Sequence, residues 1–263
     1  MSAGFEVRVC GSGQPFLWAH GLLTSMQAED ILDWFGWGNF PPTIKLIRYN
    51  ARGHGDSLAS LKAQDYCWQN LAQDLLQLAD QLGLHEFIAG GASMGASTAL
   101  YAALQAPWRV RGLILVSPPT AWQRRSQQAA NYRRSAWLAF LLGGKGLAWP
   151  AERDLQGSLP AWMGLAQREK LKRTLPLLNR YSRLTLWALL RGAALSDLPS
   201  KEQIRALAQK PVLILAWTED AVHPVETAQE LHRLLPNSDL WVADNEQTFS
   251  QIPATMIDFI NRL

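Results

Sequence analysis

The reading of the whole chain turns on Phe87–Leu100, "FIAGGASMGASTAL". An apolar run shrinks into small residues, presents Gly91-Ala92-Ser93-Met94-Gly95, and passes into an alanine-rich pattern at helical spacing. A serine held on a sharp strand-to-helix turn carries its Oγ clear of the sheet. The residues two positions either side must then be small, because side chains there would collide. Gly91 and Gly95 meet that demand, and Gly90 and Ala92 are small as well. The helix that follows starts beneath the serine, so its N-terminal dipole favours developing negative charge.

Working outward, short apolar or β-branched runs alternate with helical patterns. The predicted strands are 5–10, 15–20, 43–50, 86–91, 111–117, 211–217 and 239–244, several of them apolar without alternation, as expected of strands covered on both faces. Helical patterns cover 24–36, 64–83, 94–106, 224–235 and 250–262, and Leu71, Leu75, Leu78 and Leu82 recur at helical spacing in the second of them. The alternation predicts an α/β fold: a mostly parallel central sheet with helices on both faces. "GSGQ" (11–14) reads as a hairpin turn between the first two strands, since a lone Gly-x-Gly without a following helix is weak support for a phosphate site.

Between 119 and 203 the alternation stops. This stretch has no convincing strand, holds five of the twelve tryptophans, and contains "LLGGKGLAWP" (141–150), which reads as a break between helices. It predicts a helical insertion, with 1–118 and 204–263 forming the core domain. Charge is concentrated there too: residues 121–200 carry 13 Lys+Arg against 4 Asp+Glu, a net +9 in a chain whose total is +3. Solvated helices, an anionic substrate, an acidic partner or a membrane surface would each fit that excess. Nucleic acid fits less well, because no binding module accompanies the charge.

A length of 263 residues, 48% hydrophobic and 18% charged, suits one globular core bearing an insertion. Cys10 and Cys67 lie in no metal-ligand spacing, so neither a metal site nor a disulfide framework is expected. The start "MSAGFEVRVC" lacks a basic and an apolar region of the signal-peptide kind, and no apolar run approaches the roughly 18 residues that span a bilayer. The expected location is cytoplasmic.

Two stretches flank the serine turn in function. "PFLWAHGLLTS" (15–25) ends a strand at His20-Gly21, where the chain can turn over the serine and aim the Leu22 N–H beside that of Met94. Two such donors could hold an oxyanion, and losing one typically costs about 10²–10³ in rate. "RYNARGHGDS" (48–57) supplies a glycine-rich turn, in which His54 reads either as a base or, more plainly, as a turn histidine.

Together with the late "WTEDAVHP" (217–224), these motifs resemble the α/β-hydrolase fold superfamily over essentially the whole chain. The resemblance implies that Ser93 is the nucleophile, Asp220 the triad acid, Leu22 and Met94 the oxyanion-hole residues, and 119–203 a helical cap over the substrate pocket. No cofactor is implied, and the partner is a small-molecule substrate, with an anionic one accommodated by the arginines of the cap. The cap tryptophans are expected to furnish an apolar roof.

The sequence departs from the family after the last strand, where a histidine is expected shortly before the final helix. That loop reads "VADNEQTFSQIP" (242–253), with Glu246 at the histidine's place. The histidines are His20, His54, His85, His223 and His232. Serine is a poor nucleophile without a base; in subtilisin, removing the triad histidine costs about 2 × 10⁶ in kcat. Three readings stand: His223, three residues after Asp220, acts as the base; Glu246 does; or the chain is a non-catalytic ligand- or partner-binding protein on the same fold. The leading expectation is a serine hydrolase of small carboxylic esters, lactones or related acyl or carbon–carbon substrates, with Ser93, Asp220 and His223 as its triad.

Overall fold

The computed structural model describes residues 4–153 and 159–263. Seven strands form one sheet: β1 Val7–Cys10, β2 Gln14–Ala19, β3 Ile44–Tyr49, β4 Phe87–Ala92, β5 Val110–Val116, β6 Val212–Trp217 and β7 Ser238–Ala243. Their order is β1-β3-β2-β4-β5-β6-β7, with β1 antiparallel to β3 and every other pairing parallel. Among the described residues the helices are α1 Met26–Leu32, α2 Trp68–Gln81, α3 Met94–Gln105, α4 Arg125–Leu142, α5 Gly144–Arg153, α6 Leu165–Thr174, α7 Arg183–Leu195, α8 Lys201–Arg205, α9 Val225–Leu234, α10 Glu246–Ser250 and α11 Ile252–Asn261.

The unalternating strands are covered on both faces, as their composition demands. Phe87 and Ala89 of β4, Leu113 and Leu115 of β5, and Val212 and Ile214 of β6 pack with Leu71, Leu75 and Leu78 of α2 and with α3 and α9. Their neighbours Ile88, Ile114, Val116, Leu213 and Leu215 turn to the opposite face and meet Ile252, Met256, Phe259 and Ile260 of α11. The period of two thus splits each apolar run between two cores.

Three local expectations change. β1 and β2 are not a hairpin: β3 lies between them, and Ser12 N and Gln14 N donate to Pro42 O and Thr43 O, which stitches the "GSGQ" turn to the approach of β3. The helix expected over 24–36 is only α1, capped by the Ser25 hydroxyl and ended by Asp33 in the left-handed region at φ 53°. "LLGGKGLAWP" breaks at Gly143 alone, after which α5 starts at once and carries Pro150 within it. Between β5 and β6 the described chain holds α4 to α8 and no strand. No helix among the described residues is long and apolar enough to cross a membrane.

Candidate active site

Ser93 joins β4 to α3 with φ 52° and ψ −109°, a backbone conformation that non-glycine residues seldom occupy. The turn holds because nothing obstructs it. A Cβ placed on Gly95 would stand 1.9 Å from the Ala19 carbonyl oxygen, and one on Gly91 2.3 Å from the Gly95 carbonyl carbon. Neither contact can be relieved by a rotamer, since the obstructing atoms are backbone. These are the collisions that the Gly-x-Ser-x-Gly spacing implied.

The loop after β6 carries the other two groups. His223 Nε2 lies 2.8 Å from Ser93 Oγ, and His223 Nδ1 lies 2.8 Å from Asp220 Oδ2. With the Nδ1 proton donated to the carboxylate, Nε2 is left as the acceptor for the Ser93 hydroxyl. Asp220 is held on every side: Oδ1 accepts the backbone N–H groups of Val222 (3.0 Å) and His223 (2.9 Å), and Oδ2 also accepts Trp217 Nε1–H at 3.0 Å. Burial alone would raise the Asp220 pKa, but the His223 ring and the backbone N–H groups of His223 and Val222 outweigh it, and the carboxyl lies below its ordinary value. It stays ionised and keeps the imidazole oriented. A loop of four residues therefore carries both groups, because Asp220 uses one oxygen to fold the turn and the other to hold the ring.

Leu22 and Ser93 line the same cavity, and a Cβ on Gly21 would lie 3.8 Å from that of Ser93, so the Gly21–Leu22 backbone runs beside Ser93. Met94 opens α3, where the first N–H groups lack intrahelical partners. Two buried histidines staple this loop. His20 donates Nδ1–H to Gly21 O (2.7 Å) and accepts Ala51 N–H on Nε2 (3.0 Å). His54 Nε2 accepts Leu23 N–H at 3.2 Å, with Nδ1 3.0 Å from Arg52 O. Burial lowers the pKa of His20 to about 4 and that of His54 well below its ordinary value. Both nitrogens of His54 are occupied by backbone, so its reading as a base fails.

Glu246 is elsewhere. It opens α10, and its Oε1 accepts Gly164 N–H at 2.8 Å, tying the start of α6 to the loop after β7. Two further bonds brace the same segment: Ala161 N–H to Glu219 Oε2 (2.8 Å) and Trp162 Nε1–H to Thr218 Oγ1 (3.0 Å). His85 and His232 stay outside the site, the latter with its ring against Ser238 Oγ.

The cavity above Ser93 measures about 660 Å³. Leu147, Leu171, Leu175 and Tyr181 from the helical segment face it, and Arg180 reaches it while bonded to Gln27 and Asp56. The expected tryptophan roof is not there. The tryptophans lining the cavity are Trp34 and Trp217, both outside 119–203, whereas Trp137 and Trp149 point to solvent. Sequence reasoning also passed over Trp217 as the donor to Asp220, though a Trp three residues before the acid was visible. Ser117, buried at φ 43° against the cavity, was likewise missed; its hydroxyl has no hydrogen-bond partner among the described residues. Among those residues no group of His, Cys, Asp and Glu could hold a metal ion.

Residues 14–255 match the family described as alpha/beta hydrolase fold, and the chain belongs to that family. A Bacillus subtilis (strain 168) protein provisionally named 2-succinyl-6-hydroxy-2,4-cyclohexadiene-1-carboxylate synthase is 28% identical over 233 residues, covering 83% of this chain and 78% of its own. A Cronobacter sakazakii protein provisionally named carbamate hydrolase RutD is 28% identical over 203 residues, covering 76% and 72%. Among solved structures, MGS-M2, an alpha/beta hydrolase enzyme from a Medee basin deep-sea metagenome library, superposes with a TM-score of 0.77 at 19% identity, over 97% of this chain and 92% of its own.

Proposed function

We propose that the protein is a serine hydrolase of small carboxylic esters, lactones or related acyl compounds, working through a Ser93–His223–Asp220 triad whose acid and base share one loop. The observation that carries the reading is the unbroken chain from Ser93 Oγ to His223 Nε2 and from His223 Nδ1 to Asp220 Oδ2, 2.8 Å at each link. A binding protein has no use for a proton acceptor at that position, so the non-catalytic alternative loses its main support.

In this mechanism His223 Nε2 takes the Ser93 proton as Oγ bonds to the substrate carbonyl carbon. The carbonyl electron pair moves to oxygen, and the N–H groups of Leu22 and Met94 hold the oxyanion. Collapse expels the alcohol, which takes the proton from His223. Water then attacks the acyl-serine with His223 again as base, releasing acid and free Ser93. The helical segment 119–203 serves as a cap, and its leucines select an apolar acyl or alcohol portion. The missing histidine after β7 is replaced by a shift of the base to the acid's own loop, and Glu246 takes a bracing role in the cap.

Fluorophosphonate labelling tests the reading. The native chain should label rapidly and Ser93→Ala not at all; equal, slow labelling of both would sink it. Glu246→Gln should keep kcat within about twofold, because a neutral amide oxygen still accepts the Gly164 N–H; a loss above about 100-fold would return Glu246 to candidacy as base. Trp217→Phe keeps the ring packing against Trp34 and Phe249 but removes one donor from Asp220. A hydrogen bond to a charged group is worth roughly 1.5–3 kcal/mol, so kcat should fall about tenfold with KM unchanged.

A further inference from the structure

We infer that the outer face of α4 and α5 is a docking surface for anionic phospholipid membranes. The observation is an inverted helix. α4 buries Ala136 and Ala139 against Leu186 and Leu190 of α7, while its bulky residues face out: Trp137 is 59% exposed, Phe140 40%, Leu141 62% and Leu142 56%. Spacings of three and four place Trp137, Phe140 and Leu141 on one face, together with exposed Arg133 and Arg134 one turn earlier. Trp137 and Phe140 rest edge to face at 6.0 Å. Folding buries this apolar area nowhere, although the small alanines behind it are fully covered.

The patch continues beyond α4. Trp149 of α5 is 56% exposed with the Arg153 guanidinium 4.0 Å over its ring, Lys145 is exposed, and Leu184 at the start of α7 is 49% exposed. Arg183 approaches Gly143 at the α4–α5 junction, which ties α7 to the same face. Among the described residues Arg133, Arg134, Lys145 and Arg183 form no ion pair. Tryptophan and leucine interleaved with unpaired cations is the composition of a helix lying in a lipid interface, with rings among the acyl boundary and guanidinium groups at the phosphates. Each Lys or Arg near an anionic surface adds about 1 kcal/mol.

Charge selects among occupants. A second copy in a two-fold interface would set these cations against themselves, which is repulsive. An anionic bilayer supplies both the counter-charge and the apolar layer. The surface also overlies the cavity: Gln128, Asn131 and Ser135 of α4 and Leu147 of α5 line it from the opposite side. Membrane docking would therefore bring the roof of the cavity to the lipid. The inference does not depend on the catalytic reading.

The experiment is co-sedimentation of the full chain with vesicles of phosphatidylcholine alone and of phosphatidylcholine with 30 mol% phosphatidylglycerol, at about 50 and 500 mM NaCl. Binding to the anionic vesicles is expected at low salt, at least tenfold tighter than to the neutral ones, and weakened by high salt. Arg133→Gln/Arg134→Gln should weaken it about 30-fold, and Trp137→Ser/Phe140→Ser at least tenfold. Neither pair should lower Tm or hydrolysis of a soluble ester, since all four side chains are exposed and outside the site. Absence of binding at low salt, or equal binding by all variants, overturns the inference. So does a dimer at micromolar concentration that Trp137→Ser/Phe140→Ser dissociates, which identifies a second copy. Retention on immobilised polyglutamate without vesicle binding overturns it in favour of an acidic protein.

Discussion

His223→Ala is expected to lower kcat for a soluble ester by about 10⁴–10⁶-fold while leaving KM nearly unchanged. His223 Nε2 touches the hydroxyl proton of Ser93, which moves only as the transition state forms, so its loss falls on kcat. Removing the corresponding base in subtilisin costs about 2 × 10⁶, or roughly 8–9 kcal/mol of barrier. What survives, about 10³–10⁴ over water, would come from the Leu22 and Met94 donors and from binding. Ser93→Ala should cost as much, and the double variant no more than either single one, because the two groups work as one unit. The His223 side chain is about one-fifth exposed and bonded at both ring nitrogens, so Tm is measured beside kcat to separate loss of the base from loss of folding. A His223→Ala enzyme within tenfold of the native kcat would end the shared-loop triad. Steady-state kinetics on the three variants, with Tm as the folding control, decides it.

Acid should begin to destabilise the fold below about pH 6.5. The burial of His20 holds its pKa at about 4, against 6.5 for the free side chain, and His54 is shifted the same way. Between pH 6.5 and about 4 the unfolded chain binds protons that the folded chain refuses, so stability is full above 6.5 and falls as pH drops through that window. His20 alone accounts for roughly 3 kcal/mol at 1.36 kcal/mol per unit. Glu29 opposes this. Burial raises its pKa from 4.5 to about 7 despite Arg48 and Trp18 Nε1–H beside it, so the folded chain takes up a proton there between pH 7 and 4.5. That uptake offsets about one histidine. The sharp expectation is therefore comparative: urea unfolding from pH 7.5 to 4.5 should show a steeper acid loss in Glu29→Gln than in the native chain. Parallel curves would mean that Glu29 is ionised in the fold, and a flat native profile above pH 5 would mean that only one buried histidine is held neutral against the Glu29 uptake.

Much of the site was legible because local chemistry writes it into adjacent residues. Gly91, Ser93 and Gly95 declare a strained turn by their spacing, and the apolar run before them declares a strand covered twice. The pair Asp220 and His223 stands three residues apart, which let His223 be named as a base. Its competitor Glu246 stands in the sequence where the family keeps its histidine, and only the bond to Gly164 shows it occupied with the start of α6. The tryptophans misled for a related reason. Hydrophobicity says that a Trp seeks cover, but it does not say on which side of a helix the cover lies, and α4 turns its alanines inward instead.

By itself the sequence determined the seven strands, the helices between them, the strained serine and the basic stretch after β5, since each depends on residues within one or two turns of one another. Tertiary structure decided the rest: that β3 enters between β1 and β2, that His20 and His54 each bond the Gly21–Thr24 loop with one ring nitrogen and the backbone of Ala51 or Arg52 with the other, and that His223 rather than Glu246 reaches Ser93. Ser93 and His223 are 130 residues apart, and a 2.8 Å contact between them exists only once parallel pairing has brought the ends of β4 and β6 to the same edge of the sheet.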